Sequence, residues 1–145
     1  MEIRSADRKD YLLLLEQGRD DDQYPSIGFS IEVAATGFRG TNHEVWFALE
    51  ELHQFLAKVR QLDQGRSGLA TLTSMSPDEA CISFFALDRS GHLAVKVDLK
   101  QYRYLTAGVS SFQAVSVTFE IDPSTFPGIV RELAAFVQAN GLQNG

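Results

Sequence analysis

Cysteine is nearly absent from this sequence, which has one, Cys81, in 145 residues. A single cysteine cannot form an intramolecular disulfide, and it provides no Cys-x-x-Cys pair for zinc or redox chemistry. This usage fits a reducing compartment, so we expect a cytoplasmic protein. Cys81 begins the segment CISFF, where a small apolar residue facing the core is a better interpretation than a nucleophile without an identifiable base.

Long hydrophobic runs are also missing from the sequence. The early apolar run at residues 11–15 is shorter than the roughly 7–15 residues of a signal-peptide core, and it leads into an acidic segment. No stretch approaches the ~18 apolar residues that are needed to cross a bilayer. We therefore expect a soluble protein that is not secreted by that route and has no contact with a membrane.

Positive charge is in short supply as well, with 13 Lys and Arg against 19 Asp and Glu and a formal net charge of −6. An acidic surface repels the phosphate backbone, so direct binding of nucleic acid is disfavoured. The hydrophobic share of 44% is that of an ordinary globular chain rather than a disordered one. The length predicts a single domain over residues 1–145, with a frayed tail at residues 142–145.

The sequence lacks a recognisable metal-binding or catalytic motif. A zinc site needs three or four ligands at characteristic spacing, whereas the three histidines are dispersed among different predicted elements. His53 borders the apolar side of a predicted helix, which favours a structural position. His43 and His92 lie beside predicted turns with no recognisable partner for acid–base chemistry. We therefore expect no metal, no cofactor and no enzymatic activity.

What the sequence does contain is alternation of apolar and polar residues, which predicts strands. The alternation is clearest over residues 27–38, 92–100 and 114–121, where apolar side chains occupy every second position. Clusters of Gly, Pro, Ser and Asp delimit further segments in which the pattern is less regular. These weaker strands are expected at residues 1–5, 11–16, 69–75 and 102–106.

One connection between strands can be predicted in detail. Asp88 and Ser90 precede Gly91, which is the composition of a short hairpin loop whose glycine adopts the left-handed conformation. We therefore expect residues 80–87 and 92–100 to pair as antiparallel strands.

A first amphipathic helix is predicted over residues 48–62, because its apolar residues fall within one arc of a helical wheel. Its start has two interpretations. Thr41 to Glu44 matches a capping box, whereas the apolar residues 45–49 are more typical of a strand that runs directly into the helix, and we favour the strand. The apolar stripe comprises Leu49, Leu52, Phe55, Leu56, Val59 and Leu62.

A second amphipathic helix is predicted after Asp122 and Pro123. Pro127 falls in its first turn, where a missing N–H costs little, and Asn140 with Gly141 provides a stop signal. Its apolar stripe comprises Phe126, Ile129, Val130, Leu133, Phe136 and Val137.

The order of these elements predicts an α+β fold. The strands are joined by short turns and lack the strand–helix alternation of a parallel sheet. We therefore expect an antiparallel β meander of about six to eight strands, with the two amphipathic helices packed on one face.

Four segments resemble the WapI-type immunity family, small bacterial proteins that protect a cell from a polymorphic contact-dependent toxin. They are ATGFRG, VWFALEELHQFLAKVRQL, ALDRSGHLAVKVDL and VSVTFEIDPSTFPGIVRELAAF. The likeness extends from about residue 27 to residue 136. It implies a cytoplasmic, stoichiometric inhibitor that binds and neutralises a toxin domain, but it identifies no functional residue.

The acidic run Asp20, Asp21 and Asp22 is the first candidate for binding a partner. It lacks the spaced oxygens, the glycine and the distal glutamate of an EF-hand, so a solvated loop is a better interpretation than a calcium site. A mobile acidic loop can steer a basic partner. We expect these residues, with Glu50 and Glu51 on the outer face of the first helix, to recruit a basic toxin domain.

Two alternatives remain open at this stage. The protein could be a small-ligand-binding or enzymatic domain, with Tyr102, Arg103 and Tyr104 lining a groove between sheet and helices. It could instead be a homo-oligomeric structural protein, joined through an exposed edge or face of its sheet.

Overall fold

The architecture is given by a computed structural model that describes residues 1–138. The predicted helix stop at Asn140 and Gly141 and the predicted frayed tail at 142–145 lie outside the described residues. Within those residues the chain forms eight strands and two α-helices. In chain order these are β1 (Glu2–Arg4), β2 (Tyr11–Asp20), β3 (Ser26–Ala35), β4 (Phe38–Ala48), α1 (Leu49–Gly65), β5 (Leu69–Thr73), β6 (Ala80–Ala86), β7 (Leu93–Tyr104), β8 (Ser110–Ile121) and α2 (Phe126–Gln138).

The eight strands form two antiparallel sheets of four. The first sheet has the order β1-β2-β3-β4 and the second has the order β5-β6-β7-β8, so each is a meander of consecutive strands. The predicted α+β class, with antiparallel strands and two helices, is confirmed. Periodicity did not indicate that α1 divides the meander into two sheets. An isolated bridge between Ser5 and Ile121 joins the two sheets at one corner.

Most of the predicted strands are present. The three clear segments and the hairpin are confirmed, and Gly91 has a φ of +93°, as the hairpin loop requires. The weaker strands near residues 1–5, 11–16 and 69–75 are also found, and β2 continues to Asp20. The separate strand at 102–106 is wrong. Its first three residues extend β7, because their backbone continues to pair with β8 without a shift of register.

The structure also settles how α1 begins. β4 runs to Ala48 and α1 starts at Leu49, so the strand interpretation is confirmed and the capping-box residues lie inside β4. Ala48, at the N-cap position, has extended backbone angles and provides no side-chain cap. Instead, the Leu49 N–H donates to the Pro25 carbonyl oxygen at 2.9 Å. The first turn of α1 is thereby attached to the segment that precedes β3.

Both sheets and both helices share one apolar core. Phe84 of β6 lies at its centre, stacked on Phe55 of α1 and in edge contact with Phe126 of α2, with both centroid distances 5.7 Å. The α1 stripe is buried as predicted except for Leu49, which is half-buried. In α2, Val130 and Phe136 are half-buried. The buried residues of the two helices are Leu52, Phe55, Leu56, Val59, Leu62, Phe126, Ile129, Leu133, Ala134 and Val137.

Two partly shielded side chains among residues 1–138 make hydrogen bonds that connect the parts of the fold. Buried Asn42 of β4 donates from Nδ2 to the Glu79 carbonyl oxygen at 2.7 Å and to the Lys100 carbonyl oxygen at 3.2 Å. This amide therefore binds the first sheet to the second. Arg19 of β2 donates to the Phe136 carbonyl oxygen at 2.8 Å, which attaches the first sheet to α2.

Cys81 does not face the core, contrary to the prediction. In β6 the buried residues are Ala80, Ile82 and Phe84, and strand residues alternate between faces. Cys81 is half-buried on the opposite face of the second sheet. The expectation failed because apolar residues of CISFF fall on both sides of the strand, Ile82 and Phe84 on one and Phe85 with Cys81 on the other.

Replacing Phe55 with alanine is expected to destabilise the protein by about 3–5 kcal/mol, because its ring is 3% exposed and stacks on Phe84. Phe38→Ala is the matched control, since that ring is 67% exposed and should change the free energy of unfolding by less than about 1 kcal/mol. Denaturant titration measures both. Equal losses in the two variants would contradict the described core.

Candidate partner-binding surface

The strand register brings the two predicted acidic groups to the same end of the first sheet. Ser26 pairs with Asp20 on one side and with Ala48 on the other. Because adjacent strands lie about 4.8 Å apart, the Cα atoms of Asp20 and Ala48 are separated by about 10 Å. Glu50 is exposed and follows Ala48 by two residues. We call residues 20–24 together with Glu44, Trp46, Glu50 and Glu51 the acidic end.

Local contacts shape the loop of the acidic end. Asp20 Oδ1 accepts a hydrogen bond from the Asp22 backbone N–H at 3.0 Å, which closes an Asx turn. This carboxylate therefore fixes the backbone, whereas the carboxylates of Asp21 and Asp22 extend into solvent. All three residues are exposed, as is Tyr24, whose side chain is 71% accessible.

The helix contributes the other two carboxylates. Glu50 and Glu51 lie in the first turn of α1, where negative charge interacts favourably with the helix dipole. Both side chains are exposed. These residues thus have a structural reason to be acidic that is independent of any role in binding.

An aromatic residue that the sequence prediction did not include lies at the acidic end. Trp46 pairs with Gly28, which in turn pairs with Gly18, and the indole covers both glycines. A Cβ atom at Gly28 would come within 2.9 Å of the indole ring, so a side chain there would displace it. The indole Nε1 donates to Glu44 at 3.1 Å, and Trp46 is half-buried.

Two strand glycines could have identified this feature. Glycine is disfavoured inside a strand and often marks close approach of another group. Gly28 lies inside β3, and Gly18 lies opposite it in β2. Predicting that the covering group is Trp46 requires the register of three strands, which periodicity does not provide.

The histidines lie apart from one another. His43 and His53 are exposed on β4 and α1, respectively. Among residues 1–138 no group of three or more His, Cys, Asp or Glu side chains has the arrangement of a metal site. The helices of the described residues fall short of the length and hydrophobicity that a membrane-spanning helix needs.

The expectation that His92 has no partner is wrong. His92 Nδ1 lies 2.6 Å from Asp88 Oδ2, and Asp88 Oδ1 accepts from the backbone N–H groups of Ser90 and His92. The hydrogen bond to Asp88 raises the pKa of His92 above its ordinary value of 6.5, and the same bond lowers the pKa of Asp88 below 3.8. The partner is four residues away in a solvated hairpin loop, so the pair closes that loop.

The loop contact should depend on pH in two directions. Because the pKa of His92 is raised, its contact with Asp88 stabilises the folded protein fully below pH 6.5. This contribution disappears as the pH rises through the pKa of folded His92. Because the pKa of Asp88 is lowered, its hydrogen bonds stabilise the folded protein above pH 3.8. This contribution disappears as the pH falls through the pKa of folded Asp88. We expect Asp88→Asn to move the pKa of His92 toward 6.5, measured by NMR titration of the imidazole. Asp78→Asn, in another exposed turn, is the control, and an unchanged His92 titration in Asp88→Asn would contradict the pair.

The structure places Tyr102, Arg103 and Tyr104 away from any groove between sheet and helices. The last residue of β7 that pairs with β6 is Leu99, so the three residues belong to a hairpin that extends beyond the sheet. All three are exposed, and Tyr104 is 85% accessible. Between the sheets and the helices, apolar side chains leave a cavity of about 10 Å³, which is at the lower limit for a single water molecule.

The extended hairpin has a distinct chemistry of its own. Lys100 Nζ lies 5.0 Å from the centroid of the Tyr102 ring and 4.3 Å from that of Phe112. Leu105 and Val109 at its tip are more than half exposed. This cationic and aromatic hairpin is a second concentrated surface feature, besides the acidic end.

Comparison with known proteins adds one finding. A family model described as the immunity protein WapI-like family matches residues 6–141, nearly the whole chain. No curated protein and no solved structure matches the chain.

Proposed function

We propose, from the premise that this chain belongs to the immunity protein WapI-like family, that it binds and neutralises a toxin domain in the bacterial cytoplasm. The observation that carries the proposal is the extent of the family match, which covers β2 to β8, α1 and all of α2 that is described. The protein acts as a stoichiometric inhibitor rather than as an enzyme. Its partner is a protein domain with a basic surface.

The acidic end is the surface that we assign to this partner. Asp21, Asp22, Glu50 and Glu51 bring four exposed carboxylates to one end of a chain whose net charge is −6. Clustered charge raises the association rate of an oppositely charged partner, because it acts over distances of about a Debye length before contact. Asp20 supports the cluster by fixing the loop.

Trp46 and Tyr24 provide apolar contact area at the same end. Tryptophan and tyrosine are enriched among the residues that dominate binding energy at interfaces, particularly where charged residues surround them. Trp46 is held in place by the two glycines beneath it and by the hydrogen bond to Glu44. Its position is therefore fixed before binding, which reduces the entropic cost of contact.

Replacing the three aspartates at positions 20–22 with Asn, and the glutamates at positions 50 and 51 with Gln, should slow association with the toxin domain. The probe is the catalytically inactive toxin domain encoded by the neighbouring gene, and surface kinetics are measured over a range of salt concentrations. We expect the association rate constant to fall by about tenfold and to depend less on salt, with little change in dissociation. Failure of the unmodified protein to bind at about 10 µM would contradict the proposal for that toxin.

A matched comparison separates local from overall charge. Glu50→Gln with Glu51→Gln removes two exposed carboxylates from the acidic end, and Glu120→Gln with Glu132→Gln removes two from elsewhere. Only the first pair should slow association. Equal effects would mean that net charge, and not the acidic end, attracts the partner.

Replacing Trp46 with alanine tests the aromatic contact independently of charge. The complex should dissociate faster, with a loss of at least about 2 kcal/mol or roughly 30-fold in affinity, while association changes little. Phe38→Ala is the control, because Phe38 is an exposed aromatic residue at the opposite end of the first sheet. A dissociation rate that is the same in both variants would exclude Trp46 from the interface.

A further inference from the structure

The outer edge of β8 is open along most of its length. β8 pairs with β7 on one side, and among residues 1–138 the backbone pairing on its other side comes only from the chain that follows β1. That contact consists of the Ser5–Ile121 bridge and a hydrogen bond from the Ala6 N–H to the Glu120 carbonyl oxygen at 3.2 Å. Along residues 110–118, no other described part of the chain forms a backbone hydrogen bond to this side of the strand. We call residues 110–118 the open edge.

The orientation of the backbone groups at the open edge follows from that single contact. Because the Glu120 carbonyl points away from β7, every second residue before it also directs its N–H and C=O away from β7. The register between β7 and β8 has no shift over the whole strand, so the alternation is uninterrupted. The residues with outward backbone groups are Ser110, Phe112, Ala114, Ser116 and Thr118.

The composition of the open edge does not protect it. Natural edge strands usually carry lysine, proline or a bulge that prevents another strand from pairing. The sequence SSFQAVSVT has no charged residue and no proline, and β8 has no bulge. Two copies of a chain with a net charge of −6 can therefore meet along this edge without bringing like charges together on it.

We propose that two copies of this chain associate by antiparallel pairing of their open edges, which makes one continuous eight-stranded sheet. A two-fold axis at Ala114 pairs every residue of the open edge, with Ser110 opposite Thr118 and Phe112 opposite Ser116 of the second copy. This arrangement satisfies about ten backbone groups on each copy, and the paired length exceeds that of a typical strand. The second copy is the occupant because self-pairing of this uncharged edge brings no like charges together across the axis, although each copy carries a net charge of −6.

The side chains fit the same register. Phe112 is 58% exposed on the outer face of the sheet, and the pairing places it beside the small side chain of Ser116. Ala114 meets its own copy at the axis, where a small side chain avoids a clash. The Ser5–Ile121 bridge ends the pairing at one side, and the turn after β7 ends it at the other.

Sedimentation equilibrium up to about 100 µM tests the proposal, with a dimer as the expected result. Ala114→Lys places two lysines opposite each other at the axis, next to Lys100 of each copy, and should weaken the dimer by at least about tenfold. Thr71→Lys adds the same charge to an exposed position on β5 and should have no effect. A monomer at all concentrations, or equal dissociation in both variants, would overturn the proposal.

Cross-linking tests the register and needs no change in affinity. In a Cys81→Ser background, Ala114→Cys brings the two Cα atoms to about 5.5 Å, so a short bis-maleimide should join the copies. Thr118→Cys leaves its own counterpart roughly 27 Å away and should not react. Equal cross-linking of both variants would contradict the axis at Ala114. A monomer whose binding to the inactive toxin domain is weakened by Ala114→Lys would assign the open edge to the toxin and reject the dimer.

Discussion

Burial of one apolar core between two sheets is the constraint on which the rest of this structure depends. Each sheet has one apolar face, and neither can cover that face without the other sheet and the helices. Phe84 shows how closely the parts are joined, because its ring contacts both α1 and α2. Once this core is formed, Asn42 satisfies carbonyl groups of the second sheet from the first. The ends and edges of the sheets are then left for contact with other molecules.

Periodicity was sufficient to predict most elements of the fold, since alternation and helical spacing are local properties of the chain. It identified β3, β7, β8 and both helices, and it indicated correctly that β4 leads directly into α1. It did not indicate that the strands divide into two sheets, because that division depends on contacts between distant segments. The face of Cys81 was wrong for a related reason. Only the position of the helices decides which side of β6 is covered.

The candidate surface was predictable in part. Charge counting found both acidic groups, but their proximity depends on Ser26 pairing with Asp20 and with Ala48. Trp46 was overlooked because its packing on glycine is a cross-strand contact. The ligand-binding alternative was based on the aromatic and cationic side chains of Tyr102, Arg103 and Tyr104. These residues lie in the long β7–β8 hairpin, away from the helices.

Trp46 is the only tryptophan in the sequence, and its position gives the molecule an intrinsic optical reporter. Its indole lies on the outer side of the first sheet, in contact with glycine and hydrogen-bonded to Glu44, and not among the residues of the apolar core. Selective excitation of indole fluorescence therefore monitors this surface directly. A change in emission on mixing with another molecule indicates contact at the acidic end or rearrangement of β2, β3 and β4. The Met75 N–H, just after β5, donates to the Trp46 carbonyl oxygen at 2.8 Å, so a displacement of that end of the second sheet also reaches the reporter.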